Sequence, residues 1–285
     1  MIRNIKLLVL SSILLFVSCS KDDNSKKIVP PDILVYKDGE VSNSLKMNQL
    51  QYLSSHNSYR KHTDTLIYEY LKGIAGIIPY DLTDWDYNHV DLYTQLERYG
   101  VRHVELDIYG DKAGGRFYSR EGYSLTDRDP DSHIDALKQP GLKLMHIPDV
   151  DCETNYYTFI DALKDLKKWS DAYPDHLPIY VMIETKTETV GDVVTFLPFV
   201  KSEPWDDENI ASIESEILQV FPREQIIKPD DIRRDHATLR EAVLEDGWLT
   251  IGEARGKIMF MFDGAEFSKV YKGDKKSLEG KLIFT

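Results

Sequence analysis

Cysteine is nearly missing from this chain: only Cys19 and Cys152 occur among 285 residues. Two cysteines so far apart form neither a disulfide framework nor a metal-site spacing, so a packed apolar core must supply the stability. Cys152, after Asp149-Val150-Asp151, reads as a small buried residue. Positive charge is also short, with 35 Lys and Arg against 48 Asp and Glu and a net charge of −13. A surface this acidic repels phosphate backbones, which excludes nucleic acid as a partner and excludes broad attraction to anionic membranes. No apolar run reaches the roughly 20 residues of a membrane-spanning helix. No internal repeat is present either, which excludes solenoids and propellers. What is present is ample apolar content, 42% of the chain, with aromatic residues making up 11% of the chain. That is enough for one large core or two small ones in a chain of this length.

The N-terminus reads as an address. Arg3 and Lys6 precede an apolar stretch over residues 7–17, and Ser18 stands before Cys19. A basic start, about ten apolar residues and a small residue at the cut describe a secretory signal over residues 1–18. Phe16-Val17-Ser18-Cys19 resembles a lipoprotein cleavage box, which makes Cys19 the expected lipidation site. An ordinary cleaved signal with an incidental cysteine is the alternative. Ser20-Lys21-Asp22-Asp23-Asn24 resembles the signal that sends some Gram-negative lipoproteins to the outer surface. The expectation is a secreted lipoprotein of the outer membrane or cell surface of a Gram-negative bacterium, held to the membrane by its lipid. Residues 19–44, polar and carrying Pro30-Pro31, are read as a tether, and residues 45–285 as the folded domain. Cleavage would remove two cations and take the net charge to −15.

Past the tether, short apolar runs alternate with helical patterns. Strands are expected over residues 49–55, 101–109, 142–145, 178–183, 225–227 and 257–262, with a seventh beginning at 281–284. Helices are expected over residues 90–99, 156–172, 209–220 and 239–244. The stripe Phe159, Ile160, Leu163, Leu166 and Trp169 is the clearest of these. The run 178–183 is wholly apolar, as in a parallel strand covered on both faces. This β-then-α order predicts an α/β fold, a parallel barrel of about 250 residues, C-terminally truncated by its last strand or two.

Four segments close those strands: His56-Asn57, Glu105-Leu106-Asp107, Met145-His146 and Glu184-Thr185-Lys186. In a parallel barrel the C-terminal strand ends carry the active site. Each segment has a plainer reading. His56 lies among Ser54, Ser55, Asn57 and Ser58, which are turn formers. Glu105 and Asp107 share one face of a buried strand, so something cationic must neutralise them: a metal ion, or salt bridges to Arg102 or Lys112. Lys186 either pairs with Glu184 or holds a phosphate oxygen. His146 alone would be polar decoration. Taken together, oxygen ligands beside two imidazoles suit a hard cation acting on a phosphodiester. Asp127–Asp131 and the Asp149, Asp151, Glu153 run imitate calcium loops but lack the required glycine and glutamate, and residues 110–115 lack the phosphate-loop pattern. All three are read as solvated loops.

Ser55-His56-Asn57-Ser58-Tyr59, Glu105-Leu106-Asp107, Met145-His146 and Glu184-Thr185-Lys186 together resemble the bacterial calcium-dependent phosphatidylinositol-specific phospholipase C family. That family falls within the TIM-barrel superfamily of PLC-like phosphodiesterases, and the resemblance runs from about residue 45 to the C-terminus. It implies Ca2+ held by Asn57, Glu105, Asp107 and Glu184, with His56 and His146 as the catalytic pair and Lys186 on a phosphate oxygen. The implied reaction cleaves phosphatidylinositol, or a related phosphodiester, to diacylglycerol and inositol phosphate. Attack by the inositol 2-hydroxyl opens it, and a histidine, with His146 favoured, serves as the acid. Two other readings stand beside it: a glycerophosphodiester phosphodiesterase of the same superfamily, and a non-catalytic surface lipoprotein that binds lipid or glycan. The phospholipase would use a membrane-facing apolar rim, for which residues 74–80 are the candidate; a buried loop under the barrel mouth is the alternative.

Overall fold

The computed structural model describes residues 38–75 and 81–285. The signal sequence, Cys19 and residues 19–37 of the tether lie outside the described residues, as do residues 76–80 of the expected rim.

Six strands form one sheet: β1 (Leu53–Ser55), β2 (Val101–Tyr109), β3 (Lys143–Leu144), β4 (Ile179–Thr185), β5 (Ile226–Ile227) and β6 (Ile258–Asp263). Their order is β1-β2-β4-β6-β5, all parallel, and β3 attaches to β2 on its own. Among the described residues the sheet is open, with β1 and β5 at its edges. At the C-terminus Phe284 makes a parallel bridge to Met261 of β6, where a seventh strand is expected.

Local chemistry sets the crossovers. Asp91 caps the helix Leu92–Tyr99 by accepting from Thr94 N at 2.8 Å, and Gly100, at φ 65°, ends it in a left-handed conformation that suits glycine. Thr158 caps the helix Phe159–Ala172, which buries Phe159, Leu163, Leu166 and Trp169 of the expected stripe and adds Ala162, while Ile160 is only half-buried. Asp206 caps the helix Asp207–Val220 in the same way. These helices share one core with Leu106, Ile108, Val181, Ile183, Phe260 and Phe262 of the sheet. Burying each such side chain contributes about 1.5–3 kcal/mol.

Three expectations are corrected. The run 178–183 is not covered on both faces: Ile179, Val181 and Ile183 are buried, while Tyr180, Met182 and Glu184 are only half-buried. The second face carries the site and is left partly open.

Strand 142–145 is not a parallel rung. It is the two-residue β3, antiparallel to β2, with Leu144 opposite Ile108 and Lys143 opposite Tyr109. A parallel neighbour needs a long crossover, usually an α-helix. The chain between β2 and β3 has only short turns, at Glu121–Thr126 and Asp135–Lys138, so it returns antiparallel. This leaves the place beside β2 to β4.

The loops read as solvated are partly interior. Asp111 is buried against Lys143, whose Nζ lies 3.3 Å away. Asp149 is buried with its Oδ1 accepting from Glu121 N and its Oδ2 from Val200 N, both at 2.8 Å. Gly122 backs onto the same residue, where a Cβ would stand 1.9 Å from Asp149 O. Asp151 is fully buried. Cys152 is buried as expected, and burial pushes its thiol up to about 12.

Candidate active site

Strand register assembles the carboxylates. Asp107 of β2 pairs with Glu184 of β4, and Glu184 pairs with Asp263 of β6. Parallel partners present their side chains to the same face, so one acidic row crosses three strand ends. Glu105 lies two residues before Asp107 on that face. Glu105, Asp107 and Glu184 each offer an oxygen within 4.8 Å of the others.

The segment after β1 folds over this row. Asn57 takes φ 47°, a left-handed turn that asparagine tolerates, and its N–H donates to Glu105 Oε2 at 2.9 Å. Ser58 ties the turn down: its N–H donates to Glu105 O, and its hydroxyl accepts from Glu105 N. The Asn57 amide donates to Tyr87 Oη at 3.0 Å, which turns its oxygen toward Asp107. Turned end for end, it would instead donate to both Asp107 oxygens, at 3.2 and 3.1 Å. The second orientation satisfies the metal-free protein. The first adds an amide oxygen to the acidic row, a donor that suits a cation among the oxygens. His56 is exposed, with Nε2 3.5 Å from Glu105 Oε2.

Neither Arg102 nor Lys112 neutralises the row. Arg102 pairs with Asp38 at 2.8 Å and stacks on Trp169, and Lys112 pairs with Asp206. Lys186 does so instead, with Nζ 3.0 Å from Asp107 Oδ2 and 2.9 Å from Glu184 Oε1. Burial drives the Asp107 carboxyl up to about 6, even though Lys186 pulls it down. Burial lowers Lys186, but Asp107 and Glu184 outweigh it and hold the ammonium above its ordinary value. A hard divalent cation fits this donor set of carboxylate and amide oxygens.

His146 comes from the other side, after the antiparallel β3. Its Nδ1 lies 2.6 Å from Asp151 Oδ2, and its ring stands edge-on to Trp85 with centroids 5.8 Å apart. Arg60 grips the same carboxylate, donating from Nε at 2.7 Å and from Nη2 at 3.0 Å, and Thr63 Oγ1 donates at 2.5 Å. Burial raises the Asp151 carboxyl, but the hydrogen bonds from His146 and Arg60 prevail and hold it below the ordinary range. An ionised carboxylate can only accept, so Nδ1 carries the proton and Nε2 is left to act. Arg60 also lies over the Tyr87 ring, 4.4 Å from its centroid. A line of contacts thus joins His146 through Asp151, Arg60 and Tyr87 to Asn57.

The site residues read from sequence therefore gather at one end of the sheet: the strand-one turn, the β2 and β4 ends, and His146. Arg60, Asp151 and Asp263 were missed. Asp263 closes an apolar run just as Glu184 does, a signal present in the sequence. Asp151 lies five residues past His146 in a segment read as solvent-facing, and only its burial shows its role.

Residues 45–285 match the family described as phosphoinositide phospholipase C, Ca2+-dependent. Among solved structures, the chain is similar to the calcium-dependent phosphoinositol-specific phospholipase C of a Gram-negative bacterium, Pseudomonas sp., in its apo form. The identity is 16% and the TM-score 0.53, over 86% of this chain and 67% of that one. The myoinositol complex of that phospholipase matches at 15% identity and a TM-score of 0.53, over 85% and 66%. The chain spans about two thirds of the length of these structures. At such identity the likeness is one of fold, and it extends the open parallel sheet to the PLC-like barrel enzymes. No curated protein matches the chain.

Proposed function

The chain belongs to the Ca2+-dependent phosphoinositide phospholipase C family, and from that membership we propose that it cleaves phosphatidylinositol to diacylglycerol and inositol phosphate. The observation that carries this reading is one sheet end holding three convergent carboxylates beside a histidine buttressed by a buried aspartate. Asn57, Glu105, Asp107 and Glu184 would hold the calcium ion, which when bound supplies the positive charge that makes a hydroxyl beside the phosphate acidic. Glu184, half-buried at the strand mouth, takes the proton of the inositol 2-hydroxyl as that oxygen bonds to phosphorus. The bond from phosphorus to the diacylglycerol oxygen breaks, and His146, acting as the imidazolium with its Nδ1–H held by Asp151, gives that oxygen its Nε2 proton. Asp151 keeps the ring in the correct tautomer. His56, exposed beside Glu105, stabilises the charge that develops on the phosphoryl oxygens. Lys186 holds a phosphate oxygen. A lipid at Cys19 would keep the enzyme on the outer surface of the cell.

The test is release of water-soluble inositol phosphate from phosphatidylinositol micelles, with calcium and then with chelator. Calcium-dependent release is expected. His146→Ala should abolish turnover and leave calcium affinity nearly unchanged, whereas Glu105→Ala should lose both. Cleavage of glycerophosphoinositol in place of the lipid would move the assignment to a glycerophosphodiesterase. Inactivity on both substrates would favour a binding protein.

A further inference from the structure

Lys186 is anchored at its root by backbone hydrogen bonds and held at its tip by two carboxylates. Its N–H donates to Ile108 O at 3.0 Å and its carbonyl accepts from Trp205 Nε1 at 2.8 Å, so the backbone is held from both sides. The side chain reaches back into the acidic row and bridges Asp107 and Glu184. Among the described residues no other lysine or arginine forms an ion pair with Glu105, Asp107 or Glu184. Asp107 has no exposure to solvent, so without a cation at hand its charge would stand buried and unpaired. A divalent ion coordinates oxygen at about 2.3–2.6 Å. It would have to share its oxygens with an ammonium already at hydrogen-bond distance from two of them, and like charges so close in a sheltered site repel strongly.

We propose that Lys186 is the internal counter-ion of the metal-free site, and that calcium displaces it toward the substrate's phosphate. Its flexible four-carbon stem supplies the travel. The proposal rests on the reading of Glu105, Asp107 and Glu184 as calcium ligands. Its consequence is an order: the metal binds first, and the released ammonium then meets the anion. Lys186 holds the acidic row together when calcium is scarce, and it weakens calcium binding by the same contacts.

Calorimetric titration of the full chain with calcium chloride tests this, alongside Lys186→Met. The variant should bind calcium about tenfold more tightly or better, since it has no ammonium to expel. Without calcium it should melt below the wild type, and with calcium the difference should close. Acylation of Lys186 by a small amine reagent, followed by peptide mass spectrometry, reads the displacement directly: the lysine should be protected in chelator and reactive in calcium. Equal calcium affinities, with Lys186 protected in both conditions, would make it a fixed brace and overturn the proposal while leaving calcium in the site. No calcium binding by either protein would remove the calcium reading and the proposal with it. Binding by the variant alone would uphold the counter-ion role and take calcium out of the wild-type reaction.

Discussion

Three side chains converge on Asp151, which is fully buried and serves stability and chemistry together. Asp151→Asn should leave Arg60 buried without its anion and destabilise the fold by about 3–5 kcal/mol in urea unfolding. It should also lower kcat through loss of the His146 tautomer. His146→Ala separates the two effects, because it should stop turnover with little change in the unfolding midpoint. Asp149 makes the pH prediction. Burial raises its carboxyl to about 6 from an ordinary value of 3.8, so between those values the folded protein binds the extra proton. Stability is therefore greatest below the lower value, falls as pH rises through the window and is level above about 6. At about 1.4 kcal/mol per unit, the wild type should lose roughly 2.5 kcal/mol between pH 4 and 7 relative to Asp149→Asn. Asparagine suits the comparison because it tolerates the φ of 68° found there. Parallel pH profiles of the two proteins in chemical denaturation would refute it.

The elements around the sheet's C-terminal end form a second packed layer. The helix Thr65–Gly73 contributes Ile67 and Leu71 to a small core shared with Trp85, Val150 and Phe199. The same helix leaves Leu66 and Tyr70 exposed, and the stretch after β4 leaves Val193 and Phe196 exposed, the latter at 85%. These apolar side chains stand on segments that follow the turn bearing Asn57 and the strand β4 bearing Glu184. Val193→Asp together with Phe196→Asp should lower turnover on phosphatidylinositol vesicles about tenfold or more, since apolar area entering lipid contributes about 25 cal/mol per Å². Hydrolysis of a soluble inositol phosphodiester should be unchanged. An equal loss on both substrates would place these residues in the fold's stability and not at a lipid surface.

Across the whole molecule, the candidate calcium ligands come from the strand-one turn, β2 and β4, so a cation there would tie distant stretches of chain together. At a hundredfold excess over its Kd, calcium should add about 2.7 kcal/mol, a rise of roughly 5–10 °C in Tm. Melting in calcium against chelator checks this, and an unchanged Tm would count against a metal at the site. Much of this architecture was legible in order along the chain. Apolar runs ending in His56-Asn57 and Glu184 mark strand ends, the alternation around Glu105-Leu106-Asp107 marks β2 itself, and capped stripes such as 159–172 mark the crossovers. The row itself was legible because period-two alternation puts Glu105 and Asp107 on one face whatever the strand's neighbours are. Sequence could not decide which strand lies beside β2. That choice depends on whether a helix intervenes, and the turns after β2 made β3 antiparallel and seated β4 there. Nor could it decide which charge answers which. Arg102, Lys112 and Lys186 carry the same sign, and only the packed fold sent the first two to Asp38 and Asp206 and brought the third onto Asp107. Asp151 shows the limit most plainly: a carboxylate in a polar loop reads as solvated until folding buries it between Arg60 and His146.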